Sequence, residues 1–371
     1  MASSANRLII ALDYGTTFTG VAFHPVTGGN DEEINVDEIS LIKEWGGEET
    51  SSKVPSIISF SPIHWGLDLL NFLRETSPGE GEGVGRDAGA LVWTKLELEQ
   101  QERPDELRMI LEALIGMNDL DYSKIVGSAG LPQYPAKDPV DIVAEYLSKV
   151  REYLVQTILG DYSPEYLSTT PVDLVITVPT VWKDEAKDRI FHAIQKAGFT
   201  RRAFRMLQDI ILVTEPEAAA VYSLRSLLQY EDEDFIGPGE CFVMCDAGGG
   251  TVDLISYRVR QLSPTLELDE VTAGTGAKCG ATFIDQRFRK WLAKKLGPKD
   301  FRILIGRLPG SNITSHTIIE PRMIRLMEVF EAMKRKFDGS STHNFEISLR
   351  GLVDLEDDPA RGIQDGHIHI S

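Results

Sequence analysis

The chain has 371 residues, 42% hydrophobic and 26% charged, a composition that excludes wholesale disorder and leaves room for roughly two or three domains. Asp and Glu number 57 against 38 Lys and Arg, and the net charge of −19 opposes nonspecific binding to nucleic acid or an anionic membrane. The three cysteines form no C-x-x-C pair, which disfavours a disulfide framework and a zinc site. We therefore expect a cytoplasmic protein whose partners include neither nucleic acid nor a membrane.

Short apolar runs alternate with helical patterns along the chain, which predicts an α/β fold. The first run, residues 8–12, is too short for a signal peptide or a membrane span. Helical periodicity covers residues 184–197, 216–228 and 283–296. The predicted strands cover residues 8–12, 20–23, 54–60, 172–178, 241–245 and 252–259.

Two segments have the composition of connections between elements. Residues 77–85 are rich in Gly and Glu, which predicts a surface loop. Residues 231–239 are acidic and then broken by Pro and Gly, which favours a boundary between two halves of the chain at this point.

One pattern occurs twice, at residues 8–23 and 241–257: an apolar strand, Asp-x-Gly, small polar residues and a second strand. A single glycine turn of this kind fits an ordinary β-hairpin as well as a phosphate site. Two copies suggest a duplicated architecture whose halves face each other across a bound phosphate. The turns Gly15-Thr-Thr17 and Gly248-Gly-Gly-Thr251 offer the successive backbone N–H groups of an anion-binding nest.

Three aspartates, Asp13, Asp246 and Asp253, flank these turns. Carboxylates repel phosphate but hold the waters of a Mg²⁺ ion that bridges phosphate oxygens, so acids beside a nest predict a metal. The rival glycine motifs fit poorly, because no G-x-x-x-x-G-K-[ST] is present and residues 248–250 lead into a strand instead of a helix. Residues 273–280 look like a Rossmann turn, but their last glycine comes one residue late.

With these motifs the chain resembles the nucleotide-binding domain of the seventy-kilodalton heat-shock chaperones, in the superfamily of actin and hexokinase. Residues 175–182 and the Glu-Pro-x-Ala-Ala-Ala signature at 215–220 resemble the family's connecting segment, and the signature separates heat-shock proteins from sugar kinases. Residues 276–288 and 330–336 resemble the segments that bind adenosine. The resemblance spans residues 7–350.

The resemblance implies a duplicated actin-like ATPase fold, related to ribonuclease H, with two lobes and a nucleotide cleft. After residue 350 no Val-Gly-Gly turn follows, so we expect the second lobe to be incomplete, without its C-terminal return elements. This is similar to a divergent branch of the family that has no recognisable substrate-binding domain. The implied domains are a first lobe at 1–235 with an inserted subdomain at about 45–130, and a second lobe at 236–371 with an adenosine-side subdomain at about 276–350.

The resemblance also implies which residues contact the phosphates and the metal. Asp13 and Asp246 would face Mg²⁺ and its waters, and Asp253 would do the same or only form a salt bridge. Glu215 would orient a metal-bound water, or only complement the dipole of the helix that it begins. The phosphates would lie between Gly15, Thr16 and Thr17 on one side and Gly248, Gly249, Gly250 and Thr251 on the other.

Catalysis in this family uses a lysine near the attacking water, and Lys95 is the best local match, although a solvated helix lysine fits the same sequence. For adenosine, the resemblance implies that Lys334 and Arg335 lie across the base while Glu331 reaches a ribose hydroxyl. An ordinary charged helix face is the alternative. Gly280 would approach the nucleotide closely, and Cys279 stands beside it where the family usually has a second glycine.

The function that the resemblance implies is an ATP-binding, chaperone-like protein that hydrolyses ATP slowly to ADP and phosphate with Mg²⁺, and whose lobes close on the nucleotide. The alternative is a noncatalytic nucleotide-binding or interaction module. A small-molecule kinase of the same superfamily is disfavoured by the signature at 215–220. Besides the nucleotide, the implied partner is a protein client or a co-chaperone.

Overall fold

A computed structural model describes most of the chain, and the structural statements below concern those residues. The predicted loop at 77–85, part of the connector at 231–239 and much of the inserted subdomain lie outside them. The described residues are 6–27, 35–46, 50–60, 63–75, 90–99, 138–229, 236–263, 265–305, 317–318, 321–339, 345–350 and 356–370.

The structure is a mixed α/β fold, as the alternating pattern predicts. The strands in chain order are β1 (Arg7–Tyr14), β2 (Phe18–Val26), β3 (Ser40–Leu41), β4 (Val54–Pro55), β5 (Ile58–Phe60), β6 (Ile63–Trp65), β7 (Ala90–Leu91), β8 (Val172–Val178), β9 (Leu207–Thr214), β10 (Cys241–Ala247), β11 (Val252–Gln261), β12 (Glu267–Ala277), β13 (Thr317–Ile318), β14 (Phe345–Ser348), β15 (Ile363–Gln364) and β16 (His367–Ile370). The α-helices are α1 (Gly66–Glu75), α2 (Pro139–Asp161), α3 (Pro164–Thr169), α4 (Asp184–Lys196), α5 (Glu215–Gln229), α6 (Ala281–Ile305) and α7 (Pro321–Lys336), and short 3-10 helices cover Val36–Glu38, Thr94–Leu98 and Pro359–Arg361.

The larger core surrounds a mixed sheet in the order β3-β2-β1-β8-β9, with β4 paired to β2. Strand β1 pairs antiparallel with β2 and parallel with β8, and β8 pairs parallel with β9. Alternate residues of β1 are buried, as a strand of a packed sheet requires: Leu8, Ile10, Leu12 and Tyr14. Helices α2 and α4 contribute buried side chains to the same core. This mixed α/β sheet fits an actin-like ATPase fold.

A second, three-stranded sheet has the order β10-β11-β12, and all of its pairs are antiparallel. Ala220 of α5 packs against Ile255 and Tyr257 on one face of this sheet. On β10 and β11, Val243 and Leu254 are exposed. The hairpin β10–β11 therefore has a small apolar core on one side only within the described residues.

Helices α6 and α7 form a third packing region. The rings of Phe288 and Phe330 stack with centroids 3.9 Å apart, which joins the two helices. Helix α6 is kinked at Gly297, whose φ of 75° is outside the helical region and which is followed by Pro298. Ile324 of α7 packs with residues of α1 and with Ile57 and Val92, which lie next to β5 and β7, so α7 contacts a second group of elements besides α6.

The prediction of one strand over residues 54–60 is wrong. The chain pairs with β2 only at Val54–Pro55 and joins the sheet β13-β7-β5-β6 from Ile58 onward. Pro55 has no N–H to donate to a continuing ladder, and at the bend the Ser56 N–H donates to the Thr17 carbonyl over 2.9 Å. The other predicted strands and helices coincide with observed elements to within a few residues, except that the helix predicted to end at residue 296 continues past the kink at Gly297 to Ile305.

None of the helices in the described ranges is long and apolar enough to span a bilayer. The division of the chain into two lobes with inserted subdomains stays a prediction.

Candidate functional site

The two repeated motifs form two hairpins with the same local geometry. The Gly15 N–H donates to the Phe18 carbonyl over 3.0 Å in the first turn, and the Gly248 N–H donates to the Thr251 carbonyl over 3.0 Å in the second. We call Gly15–Thr17 the first turn and Gly248–Thr251 the second turn. In each hairpin an aspartate precedes the turn by two residues. The sequence repeat thus corresponds to a repeat in structure.

The first and second turns lie against each other. A Cβ atom built on Gly249 would be 2.7 Å from Oγ1 of Thr17, and one built on Gly250 would be 2.7 Å from Oγ1 of Thr16. Both distances are shorter than van der Waals contact, so a side chain at either position would force the facing threonine to shift. The chain therefore brings together the two turns that the sequence predicts on opposite sides of a phosphate.

The second turn uses its carbonyl groups to hold the start of α6. Gly280, Ala281 and Thr282 donate their N–H groups to the carbonyls of Gly250, Gly248 and Gly249 over 3.1, 3.0 and 2.9 Å. These bonds satisfy N–H groups that the first turn of a helix leaves without partners.

Gly280 packs closely against the second turn, and its expected approach to a nucleotide stays a prediction. A Cβ atom at this position would be 2.5 Å from the Gly249 carbonyl oxygen, so the residue must be glycine. The neighbouring Cys279 is exposed, and its side chain does not interfere with this contact. In the structure Gly280 contacts the second turn itself.

Four amide N–H groups of the two turns are available to a ligand. Those of Thr16, Thr17, Gly249 and Gly250 have no hydrogen-bond acceptor among the described residues. Clustered N–H groups of this kind attract anions, because each carries a partial positive charge and none is already used by the protein.

Lys95 forms a buried ion pair with Glu215 beside the two turns. Lys95 is only 4% exposed, so the alternative of a solvated helix lysine is wrong. Its Nζ also lies 5.6 Å from the ring centroid of Trp182. The 3-10 helix that carries Lys95 begins after Trp93, which adopts a left-handed φ of 58° that is rare for a bulky residue.

Glu215 begins α5 at the end of β9, and burial raises the pKa of its carboxyl group although the nearby Lys95 ammonium lowers it. The negative charges of Asp13 and Asp246 raise this pKa further. A buried carboxyl group beside a lysine and two aspartates is the kind of group that accepts or orients a proton of water.

Asp13 accepts two hydrogen bonds from other parts of the chain. Nζ of Lys53 lies 2.9 Å from its Oδ2 atom, and the hydroxyl of Thr177 donates to its Oδ1 atom over 2.8 Å. Burial acts to raise the pKa of Asp13, but Lys53, Lys95 and the two hydrogen bonds outweigh it and hold this pKa below its usual range. Asp13 is therefore ionised at neutral pH.

Asp246 and Asp253 are paired in register across the second hairpin. Burial, and then the charges of Asp253 and Asp13, raise the pKa of Asp246. Burial also raises the pKa of Asp253, and the Thr251 hydroxyl only partly opposes it. Asp253 is 1% exposed, and the nearby Thr251 hydroxyl is outside hydrogen-bond geometry, so its two carboxylate oxygens have no hydrogen-bond or ion-pair partner in the described part of the chain. The salt bridge considered for Asp253 is not formed there.

These acids suit a hydrated divalent cation. A buried carboxylate without a partner is costly unless a ligand or ion compensates it, and the waters of Mg²⁺ are suitable donors. No group of three His, Cys, Asp or Glu side chains in the described ranges is arranged to hold a metal directly. Water-mediated binding of Mg²⁺ by these acids stays a prediction.

A cavity of about 550 Å³ opens beside the first turn. This volume is within the range of small-molecule and cofactor sites. Thr16 and Thr17 form one part of its lining, and all three predicted adenosine residues, Glu331, Lys334 and Arg335, form another. The apolar part of the lining includes Ile57, Val92, Trp93, Met323, Ile324 and Met327.

The three charged residues of α7 form an ion-pair network at the cavity. Nζ of Lys334 lies 2.9 Å from Asp285 and 2.5 Å from Glu331, and Nε of Arg335 lies 2.8 Å from Glu331. Burial acts to raise the pKa of Glu331, but the bonds from Lys334 and Arg335 lower it overall. Two carboxylates therefore hold the Lys334 ammonium in place. A lysine on an ordinary charged helix face does not need such partners.

Sequence reasoning missed four residues that contact the predicted site: Lys53, Thr177, Trp182 and Asp285. Three of them, Thr177, Trp182 and Asp285, lie in segments that resemble functional segments of the family. Their position in the sequence could therefore have identified them as candidate site residues. Lys53 lies in no motif, and only the pairing of β4 with β2 brings it to Asp13.

No protein-family model matches the chain. Among curated proteins, it is 24% identical to heat shock 70 kDa protein 12A of mouse over 396 residues, which cover 92% of this chain and 52% of that protein. It is 25% identical to human heat shock 70 kDa protein 12B over 349 residues, 79% of this chain and 46% of that protein. A bacterial chaperone protein HscA homolog from Acidithiobacillus ferrooxidans is 26% identical over 265 residues, 67% of this chain and 36% of that protein.

The chain thus spans about half the length of the heat shock 70 kDa proteins that it matches, 52% and 46% in the two cases above. Their similarity extends across most of this chain. This similarity supports a divergent nucleotide-binding domain that resembles those of the heat-shock-70 proteins.

Proposed function

We propose that the chain binds ATP with Mg²⁺ between the first and second turns and hydrolyses it slowly to ADP and phosphate. The observation that carries this proposal is the buried pair of Lys95 and Glu215 beside two turns with unused N–H groups. An anion site alone requires only the turns. A buried lysine and a carboxyl group beside them add the groups that hydrolysis needs.

The roles follow from charge and position. The N–H groups of the two turns bind phosphate oxygens, and the side chains of Asp13, Asp246 and Asp253 hold waters of the metal. When bound, Mg²⁺ neutralises charge on the phosphates. Lys95 and Glu215 bind the attacking water, and Glu215 accepts a proton from this water as the water oxygen bonds to the terminal phosphorus. The bond from that phosphorus to the oxygen of ADP breaks.

Adenosine occupies the cavity beside α7 in this proposal. Lys334 and Arg335 lie along the base and Glu331 accepts a hydrogen bond from a ribose hydroxyl, while the apolar lining excludes water from the base. Support comes from the position of all three residues on one cavity that also reaches Thr16 and Thr17.

Nucleotide state would control the separation of the turns. Thr16 and Thr17 now lie against Gly250 and Gly249, so a phosphate between the turns must hold them apart. ATP bridges both turns through its terminal phosphate, and ADP bridges them less completely. The difference in contacts between the two nucleotides is what a switch between two arrangements requires.

A noncatalytic nucleotide-binding module is the second candidate, and one observation favours it. The Lys95 ammonium and the Glu215 carboxylate already neutralise each other, which weakens the hold of either group on an attacking water. The two candidates agree on binding and differ only in turnover. A client protein or co-chaperone as partner stays a proposal under both.

The deciding experiment is an ATP titration with Mg²⁺, followed by calorimetry and by phosphate release on the same protein. Binding with release that Asp246→Ala abolishes supports the ATPase. Binding with no release above the Asp246→Ala background leaves the noncatalytic module. If millimolar Mg-ATP does not bind, both candidates fall.

A further inference from the structure

Lys53 occupies the position next to Asp13 where the proposed function needs a metal. Its Nζ lies 2.9 Å from the Oδ2 atom of Asp13, while Thr177 holds the other oxygen. Both members of the ion pair are partly exposed, at 53% and 39%, so a ligand that enters the site can reach them. The contact joins two residues that are 40 positions apart in the chain.

The fold positions Lys53 by backbone pairing. Val54 begins β4 and is paired with Thr19 of β2, which brings the preceding Lys53 beside the first hairpin. The Ser51 hydroxyl donates to the Lys53 carbonyl over 2.7 Å, which fixes the approach of the chain. The ammonium group is therefore directed to Asp13 by the sheet and by a local hydrogen bond.

The residue paired with the aspartate differs between the two hairpins, and this difference accommodates the lysine. In the second hairpin Asp246 is paired with Asp253, whereas in the first hairpin Asp13 is paired with Gly20. The stem of Lys53 runs over Gly20, since a Cβ atom built there would be 3.7 Å from Cγ and Cε of Lys53. The first hairpin thus has a lysine where the second has a carboxylate.

The carboxylates around Lys53 indicate a function for its positive charge. Asp13, Glu215, Asp246 and Asp253 influence one another's pKa values, and within the described residues Lys53 and Lys95 are the cations that lower them. Lys95 is buried against Glu215, so Lys53 is the exposed cation of the group. A polyanionic nucleotide that approaches without metal meets less repulsion while Lys53 neutralises Asp13.

We propose that Lys53 is a built-in counter-ion at Asp13, which hydrated Mg²⁺ displaces and which lets the site bind nucleotide when the metal is scarce. The inference rests on the proposed nucleotide binding. It adds that Mg²⁺ and the ammonium compete for one carboxylate, so their effects on nucleotide affinity are coupled instead of independent.

The test measures ADP affinity by calorimetry for the wild type and Lys53→Gln, each in saturating Mg²⁺ and in excess chelator. With Mg²⁺, we expect the ADP affinity of Lys53→Gln to be within about twofold of the wild-type value. In chelator, we expect the variant to lose about tenfold more ADP affinity than the wild type, a factor typical of coupling between two sites. Lys53→Arg keeps the charge and restores the metal-free affinity.

A second measurement needs no nucleotide. Mg²⁺ alone is titrated into each protein and the midpoint of the rise in melting temperature is recorded. Lys53→Gln has lost the competing ammonium, so its midpoint comes at a lower Mg²⁺ concentration than that of the wild type. Lys196→Gln is the matched control, because Lys196 forms a similarly exposed pair with Asp141, at 55% and 47%, remote from the turns.

The outcomes separate this inference from the proposed function. Equal loss of affinity in chelator for the wild type and Lys53→Gln overturns the counter-ion role and leaves nucleotide binding intact. The inference is also overturned if Lys53→Gln binds ADP more weakly than the wild type by the same factor with and without Mg²⁺. That result would mean that Mg²⁺ does not displace the Lys53 ammonium from Asp13. If the wild type binds no nucleotide, the proposed function falls and this inference falls with it.

Discussion

Asp246 and Asp253 lie directly opposite each other across the β10–β11 hairpin, and Asp253 is buried without a partner in the described structure. Removal of this uncompensated charge should stabilise the metal-free protein. We expect Asp253→Asn to raise the free energy of unfolding at neutral pH by about 1 kcal/mol and to abolish stabilisation by Mg²⁺. Urea denaturation with and without Mg²⁺ measures both. Asp209→Asn, at an exposed acid of β9, should change neither.

The raised pKa of Asp253 determines how the difference in unfolding free energy between the wild type and Asp253→Asn depends on pH. A carboxyl group whose folded-state pKa is raised favours folding below its unfolded value, about 3.9, and this contribution is lost as pH rises through the folded value. The advantage of Asp253→Asn should therefore shrink as pH falls through this window and vanish below it. Metal-free unfolding curves at several pH values check the trend, and an advantage that grows toward acid contradicts it.

Lys95→Met separates stability from catalysis. It leaves Glu215 buried without its cation, so we expect a loss of about 3 kcal/mol in unfolding free energy. Phosphate release should fall by about 100-fold, while ATP affinity changes little because the turns are intact.

The double variant Lys95→Met/Glu215→Gln is the control for this loss. It removes the unpaired charge and should regain most of the stability without regaining release. A double variant that releases phosphate at the wild-type rate would exclude a catalytic role for the pair.

Gly280→Ala tests the contact between α6 and the second turn. The new Cβ atom meets the Gly249 and Gly248 carbonyls at 2.5 and 2.6 Å, backbone atoms that cannot rotate away. We expect a loss of about 2 kcal/mol in stability and weaker nucleotide binding. Gly160→Ala, in α2 with open space around the new atom, should instead be neutral or stabilising by about 0.5–1 kcal/mol. Thermal unfolding and calorimetry compare the two variants.

Lys334→Met distinguishes adenosine binding from phosphate binding. Loss of one charge-assisted contact should weaken ATP by about tenfold, while the affinity for inorganic tripolyphosphate, which has no base or ribose, stays the same. Lys336→Met is the matched control, since Lys336 is exposed on the same helix and does not line the cavity. Equal weakening of both ligands would place Lys334 at the phosphates and contradict the proposed orientation.

Local features of this site could be predicted from sequence, and distant ones could not. The hairpins at Asp13 and Asp246 were recognisable because strand, turn and strand lie within twenty residues and need only their own hydrogen bonds. Gly280 was recognisable by resemblance, although its contact with the second turn was not. The break at Pro55 was missed because apolar residues continue through it, and only tertiary pairing shows that the two halves join different sheets.

The burial of Lys95 and the position of Lys53 depend on contacts between segments far apart in the chain. Lys95 reaches Glu215 across 120 positions and Lys53 reaches Asp13 across 40. Periodicity and composition describe a segment by itself, so they give both lysines as ordinary polar residues. The partner of each is fixed by strand order and register, which the sequence pattern does not contain.

The hydrogen bonds from α6 to Gly248, Gly249 and Gly250 change what a run of three glycines means for ligand binding. Glycine loses more conformational freedom on folding than any other residue, so such a loop would ordinarily have to be ordered by its ligand. Here three carbonyl groups are already held by a helix, which fixes the peptide planes and hence the direction of their N–H groups. The entropy of ordering is lost when the chain folds, and an anion meets a rigid receptor.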